Sequence, residues 1–126
     1  MSFNTPLSKV RGLGSAKSGT HHFWWQRLTG IALVPLVIGM VIAVVATSMS
    51  DYESARAAVA HPLSAVLAIC TLAAMFHHAQ LGLQVVIEDY VHVEWVKISA
   101  LILIKFAAVV LALLATVAVI RIAVGS

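Results

Sequence analysis

Residues 57–90 read AAVAHPLSAVLAICTLAAMFHHAQLGLQVVIEDY, and the first 31 of them, Ala57 to Ile87, include no Asp, Glu, Lys or Arg. A helix needs roughly 20 apolar residues, at ~1.5 Å each, to cross the hydrocarbon of a bilayer. This run therefore spans with residues left over, which tilt or protrusion absorbs. Two more runs match it. Residues 28–50 give 23 uncharged positions between Arg27 and Asp51, and residues 98–120 give a 23-residue stretch broken only by Lys105, between Lys97 and Arg121.

The rest of the chain fits a lipid setting. Of 126 residues 61% are hydrophobic and 10% charged, and the mean hydropathy is +1.00, which leaves too little polar surface to coat a water-soluble globule. The sequence predicts an all-α integral membrane protein with three transmembrane helices, at about 22–48, 57–88 and 95–122. They form one anchor domain, residues 21–126, behind a basic tail, residues 1–20. The first span follows 27 residues of chain and exceeds the usual ~7 to 15-residue apolar core of a secretory signal, so it reads as a retained helix. Pro35 within it removes a backbone donor, which membrane helices tolerate when neighbours satisfy the freed carbonyl. Thr47 to Arg56 and Asp89 to Lys97 read as short polar loops. The single cysteine, Cys70, lies in an apolar run, reads as a small buried hydrophobe and excludes an intrachain disulfide.

Basic residues set the expected orientation. Lys9, Arg11, Lys17, Arg27 and Lys97 fall on one side, and only Arg56 and Arg121 flank the other. The N-terminus is expected to be cytoplasmic, and three crossings put the C-terminus on the far, periplasmic side of a bacterial inner membrane. Trp24, Trp25, Tyr90 and Trp95 then mark the cytoplasmic boundary as interfacial aromatics. Anionic headgroups account for the net charge of +3 without a nucleic acid partner.

Imidazoles deep in the second span call for a reason, because ionisable groups at membrane depth are costly and face a protein interior or a cofactor. His78 and Asp89 are eleven residues apart, hence about 20° apart round a helix and roughly 16 Å along it. Gly82, on the same stripe one turn from His78, either leaves room for a flat ligand at the imidazole or permits close helix packing. His77, Gln80, Gln84 and Glu88 make a second polar line beside the first. Spacing alone does not choose between the two histidines, and both as mere hydrogen-bond partners between helices is a further option.

The pattern His78, Gly82, Asp89-Tyr90 closely resembles the D-type membrane-anchor subunit of succinate dehydrogenase, respiratory complex II, as found in proteobacteria. The segment Trp24-Trp25-Gln26-Arg27-Leu28-Thr29-Gly30-Ile31-Ala32-Leu33, the chain length and the three spans extend the resemblance over most of residues 15–122. By that resemblance His78 supplies one axial ligand of a b-type haem, with His77 the lesser candidate, and a histidine of the companion C-type cytochrome b subunit supplies the other. Arg27 matches an arginine near the haem propionates, although its position equally suits a positive-inside anchor, and His21 and His22 sit where they reach the same region. Tyr90 matches the tyrosine that hydrogen-bonds a ubiquinone carbonyl, and Asp89 its acidic neighbour near the proton route, which Glu88 also adjoins.

The resemblance further implies a flavoprotein subunit carrying FAD and an iron-sulfur subunit on the cytoplasmic face, met by the basic tail and the loop from Asp89 to Lys97. Nothing in this chain suits either cofactor, since a cluster takes about four cysteines and no Gly-rich nucleotide motif is present. The expected function is anchoring, one haem ligand and part of a quinone site, with no chemistry by the chain alone. A fumarate reductase anchor shares the layout. An accessory three-helix membrane protein would use the histidines only between helices, and Lys105 fits either picture by snorkelling or by pairing inside the bundle.

Overall fold

The computed structural model describes residues 5–10 and 19–125. Among them the regular structure is helical, with no strand: α1 (Pro6–Val10), α2 (Gly19–Ser48), α3 (Tyr52–Ala60), α4 (Pro62–Tyr90) and α5 (Glu94–Val124). Three helices, α2, α4 and α5, are long and apolar enough to cross a membrane. At 29 to 31 residues each, they run about 43 to 47 Å, more than the ~30 Å hydrocarbon thickness. Of the expected basic tail, Arg11 and Lys17 lie outside the described residues, while residues 6–10 form α1 and Gly19 already opens α2.

The expected middle helix, about 57–88, is divided. Pro62 has no backbone N–H, and the residue before a proline is driven out of the helical region. His61 accordingly takes φ −60° and ψ 131°, ending α3 and capping α4, where its Nδ1 accepts the Leu63 N–H at 3.3 Å with Pro62 in the first turn. The segment expected as a polar loop, Thr47 to Arg56, thus holds the start of α3. Asp51 caps that helix: its carboxylate accepts from the Ser54 hydroxyl at 2.6 Å and from the Ser54 N–H at 3.3 Å. The Ser54 hydroxyl is the main reason the Asp51 carboxyl lies below its usual range. The second loop shrinks to Val91–Val93 between α4 and α5, and Lys97 pairs with Glu94 at 3.1 Å in the first turn of α5. At its other end α5 stops at Gly125, whose φ of 81° is the left-handed conformation that glycine adopts without strain.

The long helices form a row. α4 packs antiparallel against α2 on one side and α5 on the other, while the backbones of α2 and α5 stay more than 8 Å apart among the described residues. Of the described residues, only Thr29 on α2 and Ala65, Thr71 and Leu81 on α4 are buried, which marks α4 as the centre. The outer faces carry Ile31, Ile42, Leu103 and Phe106, each more than 60% exposed. Water would punish that surface, whereas lipid or apolar partner helices cover it at no cost. Small residues, Ala73 on α4 and Ala108 and Ala112 on α5, line the α4–α5 seam and let the backbones approach.

Candidate functional site

The site lies where α2 starts, α4 ends and α5 starts. Across the α2–α4 crossing, Thr29 Oγ1 is 3.0 Å from His78 Nδ1. The same hydroxyl donates to the Trp25 carbonyl at 2.7 Å, a bond that satisfies a polar side chain inside an apolar helix. Gly30 is the other half of the contact: a Cβ there would stand 3.2 Å from His78 Cε1, so its absence lets the imidazole lie against α2. Nε2 of His78 makes no hydrogen bond among the described residues and is not sealed from the surface. Gly82, one turn along α4, faces Gln26 of α2, and a Cβ there would meet Gln26 Nε2 at an ordinary 3.6 Å. The glycine therefore sits where α4 meets α2.

His77, one residue away and about 100° round the helix, faces elsewhere. Its ring stands edge-on to Trp25, centroids 5.7 Å apart, and Trp25 Nε1 donates to His21 Nε2 at 3.1 Å. These three line a groove of about 760 Å³ over α4 between α2 and α5, with Gln84, Glu88 and Lys105 along its other walls. The second polar line of the sequence is a hydrogen-bonded ladder. Gln80 Nε2 donates to Gln84 Oε1 at 3.2 Å, and Gln84 Nε2 to Glu88 Oε1 at 2.8 Å. Lys105 makes no ion pair among the described residues.

The remaining expected residues are more dispersed. Arg27 is exposed, with its guanidinium 4.7 Å from the centroid of the Phe23 ring. His22 lies on the stripe of α2 shared by Gln26 and Thr29, and both His22 Nε2 and Gln26 Oε1 are buried without a hydrogen-bond partner among the described residues. Unpaired buried polar atoms are expensive, so two on one stripe indicate a polar group yet to be met there. Tyr90 and Asp89 end α4, both exposed and outside the groove that Glu88 enters. Twelve residues separate Tyr90 from His78, about 18 Å along the axis.

Among the described residues no three His, Cys, Asp or Glu side chains gather to hold a metal ion. A single imidazole with one nitrogen engaged and the other open suits one side of a haem iron, which takes its equatorial ligands from the macrocycle. Thr29 and Gly30, quoted in the sequence pattern without a role, are the residues that hold this imidazole. Their signal was slight: a threonine and a glycine where the aromatic and polar start of α2 gives way to its aliphatic run.

Fold and site define a multi-pass helical membrane protein that carries histidines and a polar ladder at one end of its row of spans. The chain belongs to the succinate dehydrogenase/fumarate reductase transmembrane subunit family, whose model matches residues 1–120. Over 103 residues it is 32% identical to the succinate dehydrogenase hydrophobic membrane anchor subunit of Rickettsia bellii, covering 82% of each chain. It is 31% identical over 91 residues to the subunit of the same name from Paracoccus denitrificans, covering 71% of this chain and 70% of that one. The succinate dehydrogenase membrane anchor subunit of Porphyra purpurea is 30% identical over 109 residues, 86% of this chain and 90% of its own. No solved structure matches the chain with comparable significance.

Proposed function

We propose that the chain is the hydrophobic anchor subunit of a bacterial succinate:ubiquinone oxidoreductase, holding half of a b-type haem site and part of the ubiquinone site. The observation that carries this reading is His78 fixed at the α2–α4 crossing, with Nδ1 engaged and Nε2 open. The relatives are named for succinate dehydrogenase, which favours succinate oxidation over fumarate reduction as the direction.

Residue roles follow from chemistry and position. His78 Nε2 would be this chain's ligand to the haem iron, and the companion C-type subunit would supply a second imidazole. His22 turns its unpartnered Nε2 to a haem propionate, while Arg27 adds positive charge on the same side. When bound, haem supplies a one-electron carrier beside the quinone site. The Tyr90 hydroxyl donates to a quinone carbonyl at the headgroup level, where the isoprenoid tail stays in lipid and Asp89 meets water for proton delivery.

In this reading the site end is cytoplasmic. Arg27 and Lys97 stand at that end and Arg56 and Arg121 at the other, the asymmetry expected of a cytoplasmic N-terminus in the inner membrane. The flavoprotein and iron-sulfur subunits dock there, so FAD and the clusters stay outside this chain. Purifying the tagged chain from its own membranes in mild detergent tests the assignment. Covalent or tightly held flavin, iron-sulfur signals and succinate:quinone activity are expected to copurify, and an intact sample without them would reject it.

A further inference from the structure

We infer that Thr29 and Gly30 form a shelf on α2 that sets the tautomer and ring position of His78, making Thr29 a positioning residue for the metal-binding nitrogen. The inference rests on the reading of His78 as an axial haem ligand. It begins with a proton count. A threonine hydroxyl has one hydrogen, and Thr29 spends it on the Trp25 carbonyl at 2.7 Å, with Gln26 O a second acceptor at 3.2 Å. Two lone pairs facing each other at the 3.0 Å separation of Thr29 Oγ1 and His78 Nδ1 would repel, so Nδ1 carries the hydrogen and donates it. In a neutral imidazole the lone pair then resides on Nε2. That nitrogen is the one left without a partner among the described residues.

Burial makes the arrangement binding. Thr29 is 8% exposed, so water does not compete for its oxygen, and the alternative tautomer would bury an unmet acceptor. Gly30 fixes the second coordinate. With 3.2 Å between its would-be Cβ and His78 Cε1, a side chain there requires the ring to give by a few tenths of an ångström. Together the pair holds a ligand before the metal arrives, and a donated Nδ1–H leaves the lone pair of Nε2 for the metal and tunes the bond it makes.

The test uses the whole complex, purified through a tag on this chain, as parent, Thr29→Val, Thr29→Ser, Gly30→Ala and His78→Ala. Readouts are haem per flavin, the low-spin ferric electron paramagnetic resonance spectrum and the haem midpoint potential. Thr29→Val keeps the shape and removes the acceptor. It is expected to weaken haem retention about 10- to 100-fold, as loss of an outer-sphere partner does elsewhere, and to move the midpoint of the haem that remains to more positive values. Thr29→Ser restores the parent in both. Gly30→Ala retains the hydroxyl and displaces the ring, so its largest g value shifts while haem stays bound.

Parent haem content and midpoint in Thr29→Val, beside loss of haem in His78→Ala, would overturn the shelf and leave the haem assignment standing. An unshifted g value in Gly30→Ala would equally count against it. A low-spin spectrum surviving His78→Ala would overturn both, since Thr29 would then orient nothing.

Discussion

The two ends of the helix row differ in what their side chains have to meet. Where α2 starts and α4 ends, histidines, glutamines, Thr29 and Glu88 sit between spans, two buried polar atoms lack partners among the described residues, and a groove of about 760 Å³ opens between α2 and α5. At the opposite end α3 packs against all three long helices, and the space between them is an apolar cavity of about 360 Å³ lined by such residues as Leu36, Met40, Leu67 and Leu72. Its threonines are satisfied within their own helices: Thr71 donates to Leu67 O at 2.7 Å and Thr47 to Ala43 O at 2.8 Å. One end is thus finished by its own side chains and the other waits for partners. The proposed function belongs to the unfinished end.

Substitutions sharpen that contrast. The largest effect is expected for His78→Ala, which removes the axial nitrogen and abolishes the low-spin b-type spectrum of the purified complex. His77→Ala, whose ring meets Trp25 and the groove, leaves the spectrum largely intact; loss in both variants alike would erase the distinction between the two histidines. Tyr90→Phe comes next. It should cut quinone reduction about tenfold, the worth of one hydrogen bond of roughly 1.4 kcal/mol, while succinate oxidation by a soluble artificial acceptor is unchanged. Equal quinone turnover in mutant and parent would remove Tyr90 from the site.

A smaller effect separates His22 from Arg27. Each cation or donor near a propionate favours the reduced haem, so its loss lowers the midpoint potential, and titration of both variants compares them. His22→Ala, whose Nε2 is buried and unpartnered, is expected to move the midpoint further than Arg27→Gln, whose guanidinium lies over Phe23. The reverse order would place Arg27 on the propionate and His22 outside it.

The smallest effect is at the finished end. Asp51→Ala removes the cap of α3 and should loosen that helix to protease while leaving haem and turnover alone. Because its folded carboxyl lies below the usual 3.8, the cap contributes above that pH and is lost as pH falls through the folded value. Protection of α3 that persists into strong acid would show that Asp51 does not cap it in membranes.

Much of the architecture was legible because lipid imposes simple rules. Charge-free runs gave the three spans, and their count required no knowledge of packing. The break at His61–Pro62 was hidden within an uncharged run: neither residue interrupts hydrophobicity, although proline geometry ends a helix there. The row of helices was not legible either, since the aliphatic runs of α2 and α5 carry no stripe that says which face meets α4. Of the site, the polar line from Gln80 to Glu88 could be read from its spacing and is hydrogen-bonded as that spacing suggests. Which way each adjacent histidine faces depends on the partner helix. Thr29 and Gly30 look unremarkable among the small residues of a membrane helix until His78 is placed beside them.

The most direct test is a dithionite-reduced minus air-oxidised visible spectrum of the complex copurified with this chain from its own membrane. Sharp b-type bands at about one haem per flavin are the predicted result. A featureless spectrum from an intact, fully partnered sample would contradict the account and return the histidines to the role of contacts between helices.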